Sequence, residues 1–476
     1  MRFSPLLTDL YELTMLAGYV AEGMADRRAV FDLFFRNNPF KGGYAVYAGL
    51  ETALSYLTRL RFTERELAYI AGLGIFRDDF IRFLRNFRFR GTVTSIPEGT
   101  VVFPREPLVT VEGTLAEAQF VETALLNIIN FQTLVATKAA RIASVAGDAK
   151  VIEFGLRRAQ GPNGGISVAR AAFIGGARST SNVMGGKLFG IPVKGTHAHS
   201  WIMAFPDELT AFRAYADAFP DSCILLVDTY DTLRSGIPNA ITVAAELRSR
   251  GHELKGIRLD SGDLAWLSKT ARRMLDEAGF PDAKIVASNE IDEYVVESII
   301  REGGRVDVYG VGTKLAACLG EGGGALGGVY KLVSIDDEPK LKTTSDFAKS
   351  TLPDKKRVWR AVDPEGKFGM DIIGQAGDTV FPGDTVFNVV NPLQHTPVPE
   401  NAHVVDIRTV VMEEGQHTAE RQNLEALAIR CDTQLKALPE GCLRFTNPHI
   451  YKVSVSRDLN DLRLRLTEQV SSKLGT

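Results

Sequence analysis

The chain has 476 residues, 45% of them hydrophobic, 24% charged and 9% aromatic, which are ordinary globular proportions. Fifty-five Lys and Arg against 58 Asp and Glu leave a formal charge of -3, so no global basic field recommends nucleic acid as a partner, although a local cluster for small anions stays open. Asp9 and Glu12 interrupt the apolar core that a signal peptide would need, no later stretch approaches about 18 uncharged apolar residues, and Cys223, Cys318, Cys431 and Cys442 lack zinc or disulfide spacing, so the expectation is a cytoplasmic, enzyme-sized protein without a membrane span.

Residues 1 to about 90 read mainly as helices around one apolar strand, Ala29–Phe35, followed by the turn Asn37–Gly43. From 91 to about 113, short β-branched runs are separated by Pro and Gly. Residues 114 to 145 return to helical periodicity, with Leu125, Leu126, Ile129 and Phe131 in an apolar stripe.

Between 150 and about 315 a unit repeats: an apolar run ending in polar residues, then an amphipathic stretch. The runs begin at Val151, Ile191, Cys223, Gly256, Lys284 and Val306. Asp260-Ser-Gly-Asp263 caps a helix from Leu264 to Ala278, and Gly279 stops it. Strands alternating with helices predict parallel β-α units. Glu153, Arg157, Thr196 to Ser200, Asp228, Asp231, Arg258, Asp260, Asp263, Ser288, Asn289 and Thr313 then fall at or just after strand C-termini. In a parallel barrel those ends converge on one mouth, where active sites are built. Some of these Asp residues also cap the helices that follow.

Beyond 316, the Gly-x-Gly-x-x-Gly at Gly322 to Gly327 precedes a strand-like run from Val329, not a helix, which argues against a dinucleotide fold and leaves a loop or an anion nest. Residues 349 to 360 hold five basic residues and one acid, either a solvated loop or one reaching a phosphate. A Pro-rich linker near Asn391 to Pro399 leads to a tail from about 403 that reads as a small α/β appendage.

Two constellations carry chemistry. In Lys194-Gly-Thr-His-Ala-His-Ser200 the histidines are spaced i, i+2, as in a strand-end metal pair. The other five histidines supply no further ligand at a later strand end, since His252 sits at the start of its strand. A buried structural pair is one remaining account; the other is a histidine acting as acid, base or nucleophile near Thr196 or Ser200. The second constellation joins Arg157, Arg158, Arg178 and Arg258 with Asp228, Asp231 and Asp260. Guanidinium forks suit phosphate or carboxylate, and aspartates suit ribose hydroxyls or Mg²⁺ held through water. Together they describe a site for a charged, phosphorylated sugar.

These residues stand in recognisable motifs: Leu6-Leu-Thr-Asp-Leu-Tyr-Glu-Leu-Thr-Met15, Phe34-Phe-Arg36, Glu153-Phe-Gly-Leu-Arg-Arg-Ala-Gln-Gly161, Ser179-Thr-Ser-Asn182, Gly195-Thr-His-Ala-His-Ser200, Leu226-Val-Asp-Thr-Tyr-Asp231, Arg258-Leu-Asp-Ser-Gly-Asp263 and Gly310-Val-Gly-Thr313. With these motifs the chain resembles the nicotinate phosphoribosyltransferases, type II phosphoribosyltransferases of NAD salvage. The resemblance implies transfer of phosphoribose from 5-phosphoribosyl 1-pyrophosphate to nicotinate, coupled to ATP hydrolysis with Mg²⁺, in a homodimer with shared active sites. It implies an irregular TIM-like α/β barrel over 136–330, flanked by an α/β domain built from an N-terminal segment, 1–135, and a C-terminal segment, 331–476, that packs on it. By the same resemblance His199 is the phosphorylated histidine and Asp260 a catalytic partner. Tyr11 of the partner subunit and Thr196 contact nicotinate, Phe154 stacks on its ring, and Arg157 lies near the base. Arg258 and Thr313 surround the phosphoribosyl group, and Arg36, Lys349 and Lys356 reach phosphate. No protein metal ligand is assigned. Arg178 departs from a Phe-Asp pairing found in many relatives. A preference for nicotinamide, a metal-dependent barrel hydrolase and a non-catalytic homologue are the alternatives.

Overall fold

Seven consecutive buried residues, Ala29 to Phe35, make the strand Arg28–Phe35 the centre of an antiparallel sheet. A run buried without alternation needs cover on both faces, which its neighbouring helices and strands provide. The computed structural model describes residues 3–342, 350–418 and 420–474. The chain divides into two compact units, one of residues 1–134 with 325–476 and one of residues 135–324.

In the first unit, Arg28–Phe35 pairs with Val109–Thr114 on one side and Gly328–Ile335 on the other, within a seven-stranded sheet that also takes in Thr409–Glu413. A second, six-stranded sheet is built wholly from the C-terminal segment, around Lys356–Val362 and Phe368–Gln375. Strand pairing between residues near 30 and near 330 therefore joins the N-terminal and C-terminal segments of this unit. Asp32 lies within the buried run and would carry an uncompensated charge there; Lys356 meets it at 2.8 Å, both side chains 2% exposed. This overturns the phosphate-reaching role expected for Lys356, because its ammonium is buried and committed to an internal partner.

The second unit holds a wholly parallel sheet, in the spatial order Ser179–Thr180, Lys150–Glu153, Val308–Val311, Lys284–Ser288, Gly256–Leu259, Ile224–Leu226. The register sets Glu153 beside Val311, Ser288 beside Gly310 and Leu226 beside Arg258, so the polar strand ends lie along one edge. The helix after Leu259 runs Leu264–Glu277, with Asp263 accepting the Trp266 N–H at 2.9 Å and Gly279 at φ +84° beyond its end.

Among the described residues the sheet does not close into the expected barrel. The Ile191 run forms no strand and contributes one parallel bridge, Thr180 to Val193. At the opposite edge the Leu226 N–H is taken by the ring of His197, at 3.2 Å, and not by a backbone carbonyl. A segment that spends its polar contacts through single bridges and side chains cannot build the repeated ladder that closure requires.

Candidate functional site

The sequence Gly256-Ile-Arg-Leu-Asp260 ends the fifth strand of the parallel sheet with Arg258 and Asp260 two residues apart, on one face. The Arg258 guanidinium donates to Asp260 Oδ1 at 2.7 Å through Nη2, to Ser288 Oγ at 2.8 Å through Nε and to Thr196 Oγ1 at 3.2 Å through Nη1. Ser288 also donates to Asp260. Three neighbouring chain segments are thus fixed by one planar fork, a geometry only arginine offers. Burial opposes ionisation of Asp260, but the Ser288 hydroxyl, Arg258 and His199 outweigh it and hold the carboxyl below the usual range.

The two histidines separate clearly. Because Leu226 N–H donates to His197 Nε2, that ring is neutral with its proton on Nδ1, directed at the Ala198 carbonyl 3.4 Å away. Burial pushes its pKa down to about 4. Both ring nitrogens of His197 are engaged, so it does not fit a metal pair with His199. His199 instead begins the short helix His199–Met203, with its side chain 40% exposed. Its Nδ1 lies 3.0 Å from Thr229 Oγ1 and its Nε2 3.7 Å from Asp260 Oδ2.

Asp228 completes the floor. Its Oδ2 accepts the Asp260 N–H and the Ser261 hydroxyl, each at 2.7 Å, while its Oδ1 is buried without a hydrogen-bond partner. Phe154 flanks the cluster, with the Arg258 guanidinium carbon 5.5 Å from its ring centre. Gly310 makes room for that ring: a Cβ there would stand 2.6 Å from two of its carbons.

Phe154, Thr196, His199, Arg258 and Asp260 are therefore brought together as a cluster. Arg157 is exposed in the turn Leu156–Arg158 directly after Phe154, and Thr313 opens the helix Thr313–Ala316 beyond Val311; both stand at strand ends of the same sheet. Tyr11 and Arg36 belong to the first unit. Tyr11 is 45% exposed on the helix Leu10–Ala21, and Arg36 follows the Arg28–Phe35 strand with its Nε buried and unpaired. Lys349 lies outside the described residues. Arg178 turns back over the Phe173 ring, 5.7 Å from its centre, and donates to the Phe173 carbonyl at 3.4 Å. Thr229 was not singled out in the sequence; the hydroxyl after Asp228 at a strand end was its only signal.

Asp228 and Asp260 are hard oxygen donors suited to Mg²⁺, and the unpaired Asp228 Oδ1 marks an unsatisfied acceptor at this floor. No group of three or more His, Cys, Asp or Glu among the described residues is placed to hold a metal. Magnesium shared with water and substrate phosphates needs no such cage.

An α/β protein with a guanidinium, two carboxylates and an exposed histidine along the carboxyl edge of a parallel sheet has the parts of an anion-handling site. Family models for the nicotinate phosphoribosyltransferase N-terminal domain, family and C-terminal domain match residues 6–130, 149–361 and 355–463. The nicotinate phosphoribosyltransferase of Bacillus subtilis (strain 168) is 43% identical, with 98% of this chain and 96% of the relative covered. The Homo sapiens protein of that name is 34% identical, covering 96% of each. The crystal structure of human nicotinic acid phosphoribosyltransferase superposes with a TM-score of 0.87 at 32% identity, covering 96% of this chain and 99% of that one. The chain belongs to the nicotinate phosphoribosyltransferase family.

Proposed function

We propose that the protein converts nicotinate, 5-phosphoribosyl 1-pyrophosphate, ATP and water to nicotinate mononucleotide, pyrophosphate, ADP and phosphate, the first step of NAD salvage from nicotinate. The observation that carries this reading is the Arg258, Asp260, His199 cluster beside Phe154, in a chain whose near full-length relatives bear that enzyme's name.

In this reaction the bond from the anomeric carbon to pyrophosphate oxygen breaks as the pyridine nitrogen bonds to the same carbon. Positive charge grows on the sugar and negative charge on the departing pyrophosphate, so positioning and electrostatic stabilisation are what the protein supplies. Phe154 offers the pyridine ring a face, with Thr196, Arg157 and Tyr11 of a second subunit around the base. Arg258 and Thr313 hold the phosphoribosyl group, with Arg36 and Lys349 reaching phosphate. Asp260 orients Arg258 and faces His199 Nε2. His199, solvent-accessible where His197 is buried, is the group that takes phosphate from ATP. The added charge favours cations and basic segments nearby. When bound, Mg²⁺ neutralises phosphate oxygens, with Asp228 and Asp260 as its partners directly or through water.

The same reading places the site on an irregular, TIM-like α/β arrangement in a cytoplasmic homodimer. The test is nucleotide formation from nicotinate and from nicotinamide, each with and without ATP. Nicotinate mononucleotide accelerated by ATP supports it, and a preference for nicotinamide reverses it.

A further inference from the structure

Glu153 ends its strand with a side chain buried to 1% exposure, and its described partners are all neutral. One carboxyl oxygen accepts the Gly155 N–H and the other the Thr180 hydroxyl. The Thr180 oxygen in turn accepts the Asn182 N–H at 2.9 Å, so its single proton is directed at Glu153. Asn182 caps the helix Val183–Phe189 through Gly185 N–H at 3.0 Å and donates to the Gly165 carbonyl at 3.1 Å. A continuous buried relay thus runs from the turn holding Phe154 and Gly155 to two helices.

That turn is also clamped from its other side. A Cβ on Gly155 would stand 2.4 Å from Ala316 Cβ and 3.0 Å from the Gly312 carbonyl oxygen. The Phe154 N–H donates to the Val311 carbonyl at 2.8 Å, leaving the ring against Gly310. A carboxyl group is an expensive choice for such a place, since apolar residues would pack at no desolvation cost. Burial does push the Glu153 carboxyl above its usual range, against the two hydrogen bonds. What the group provides in return is an acceptor on each side, one per oxygen, at a fixed separation.

We propose that Glu153 is a positioning residue for the pyridine substrate: with Thr180 and Asn182 it fixes the turn that aims the Phe154 ring. This rests on the reading of Phe154 as the base-stacking residue. A merely structural anchor predicts lost stability with substrate constants unchanged or all falling together, whereas a positioning role predicts a selective loss at the base.

The experiment compares full-length wild type with Glu153→Gln, Thr180→Val and Thr180→Ser, measuring kcat, KM for nicotinate, KM for 5-phosphoribosyl 1-pyrophosphate and the melting temperature. Glu153→Gln and Thr180→Val are expected to raise KM for nicotinate about tenfold, the scale of one hydrogen bond to a charged group. KM for the phosphoribosyl substrate stays within about twofold, and Thr180→Ser, which keeps the hydroxyl, behaves as wild type. Unchanged nicotinate KM, or a uniform loss in every constant, overturns the proposal. If Glu153→Gln does not fold, the threonine pair decides: a defect in Val rescued in Ser supports the relay, and equal behaviour overturns it. Wild type that forms no nucleotide from nicotinate overturns both this and the proposed function, while active wild type with insensitive variants overturns this inference alone.

Discussion

Arg258 and Asp260 face each other at 2.7 Å from positions two residues apart at the end of one strand, and Ser288 on the adjacent strand is hydrogen-bonded to both. The pairing leaves the guanidinium oriented, with Nη1 turned to Thr196 and its carbon 5.5 Å from the centre of the Phe154 ring. A cation held in this way needs no rearrangement as negative charge develops, which is the property that lowers a barrier.

Replacing Arg258 with alanine is therefore expected to lower kcat by roughly 10²- to 10³-fold, the scale of one preorganised charge-stabilising donor. Arg258→Lys restores the charge but not the three-way fork, so it is expected to recover little. Steady-state kinetics on folded variants check this; a lysine variant with wild-type kcat would show that only charge matters.

Gly310→Ala places a methyl group where the Phe154 ring lies, 2.6 Å from two of its carbons. The ring can swing aside, so the chain is expected to fold, but its stacking geometry is lost. KM for nicotinate should rise roughly three- to tenfold, the value of an aromatic contact, with the phosphoribosyl substrate little affected. Steady-state KM values for the two substrates measure the contrast.

The parallel sheet was legible in the sequence because each apolar run ends in polar residues and a capped helix, as Gly256-Ile-Arg-Leu-Asp and Asp263 do. The Ile191 run misled because composition does not say whether a backbone pairs. Val193 makes one bridge, and the position where a ladder would continue is held by the His197 ring. The role of His197 was equally hidden, since the backbone N–H its ring accepts from, that of Leu226, is 29 residues away. Lys356 looked like a free cation in a basic stretch; its partner, Asp32, is more than 300 positions away and reachable only through the fold. Arg258 with Asp260 was readable because both groups sit at one strand end.

Glu12 gives a pH dependence in the first unit. It is wholly buried on the helix Leu10–Ala21, one oxygen accepting from Gln119 at 2.9 Å and the other unpaired, with Glu122 and Asp9 as acidic neighbours. Burial, chiefly, raises its pKa to about 7. Since the folded value lies above the unfolded one, its stabilising contribution is complete below the ordinary carboxyl range and is lost as pH rises through about 7. Glu12→Gln should therefore be the more stable protein at pH 8, by about 1–3 kcal/mol. Denaturant unfolding at pH 5 and pH 8 checks this; parallel pH profiles in the two proteins would refute it.

The central claim is that ATP drives nicotinate mononucleotide formation through a phosphate on His199. The most direct measurement is incubation of the purified chain with γ-labelled ATP and Mg²⁺, followed by nicotinate and 5-phosphoribosyl 1-pyrophosphate. The account predicts an acid-labile label on wild type and His197→Ala, absent from His199→Ala, that is discharged as nicotinate mononucleotide appears. Label retained in His199→Ala, or lost only in His197→Ala, would contradict it.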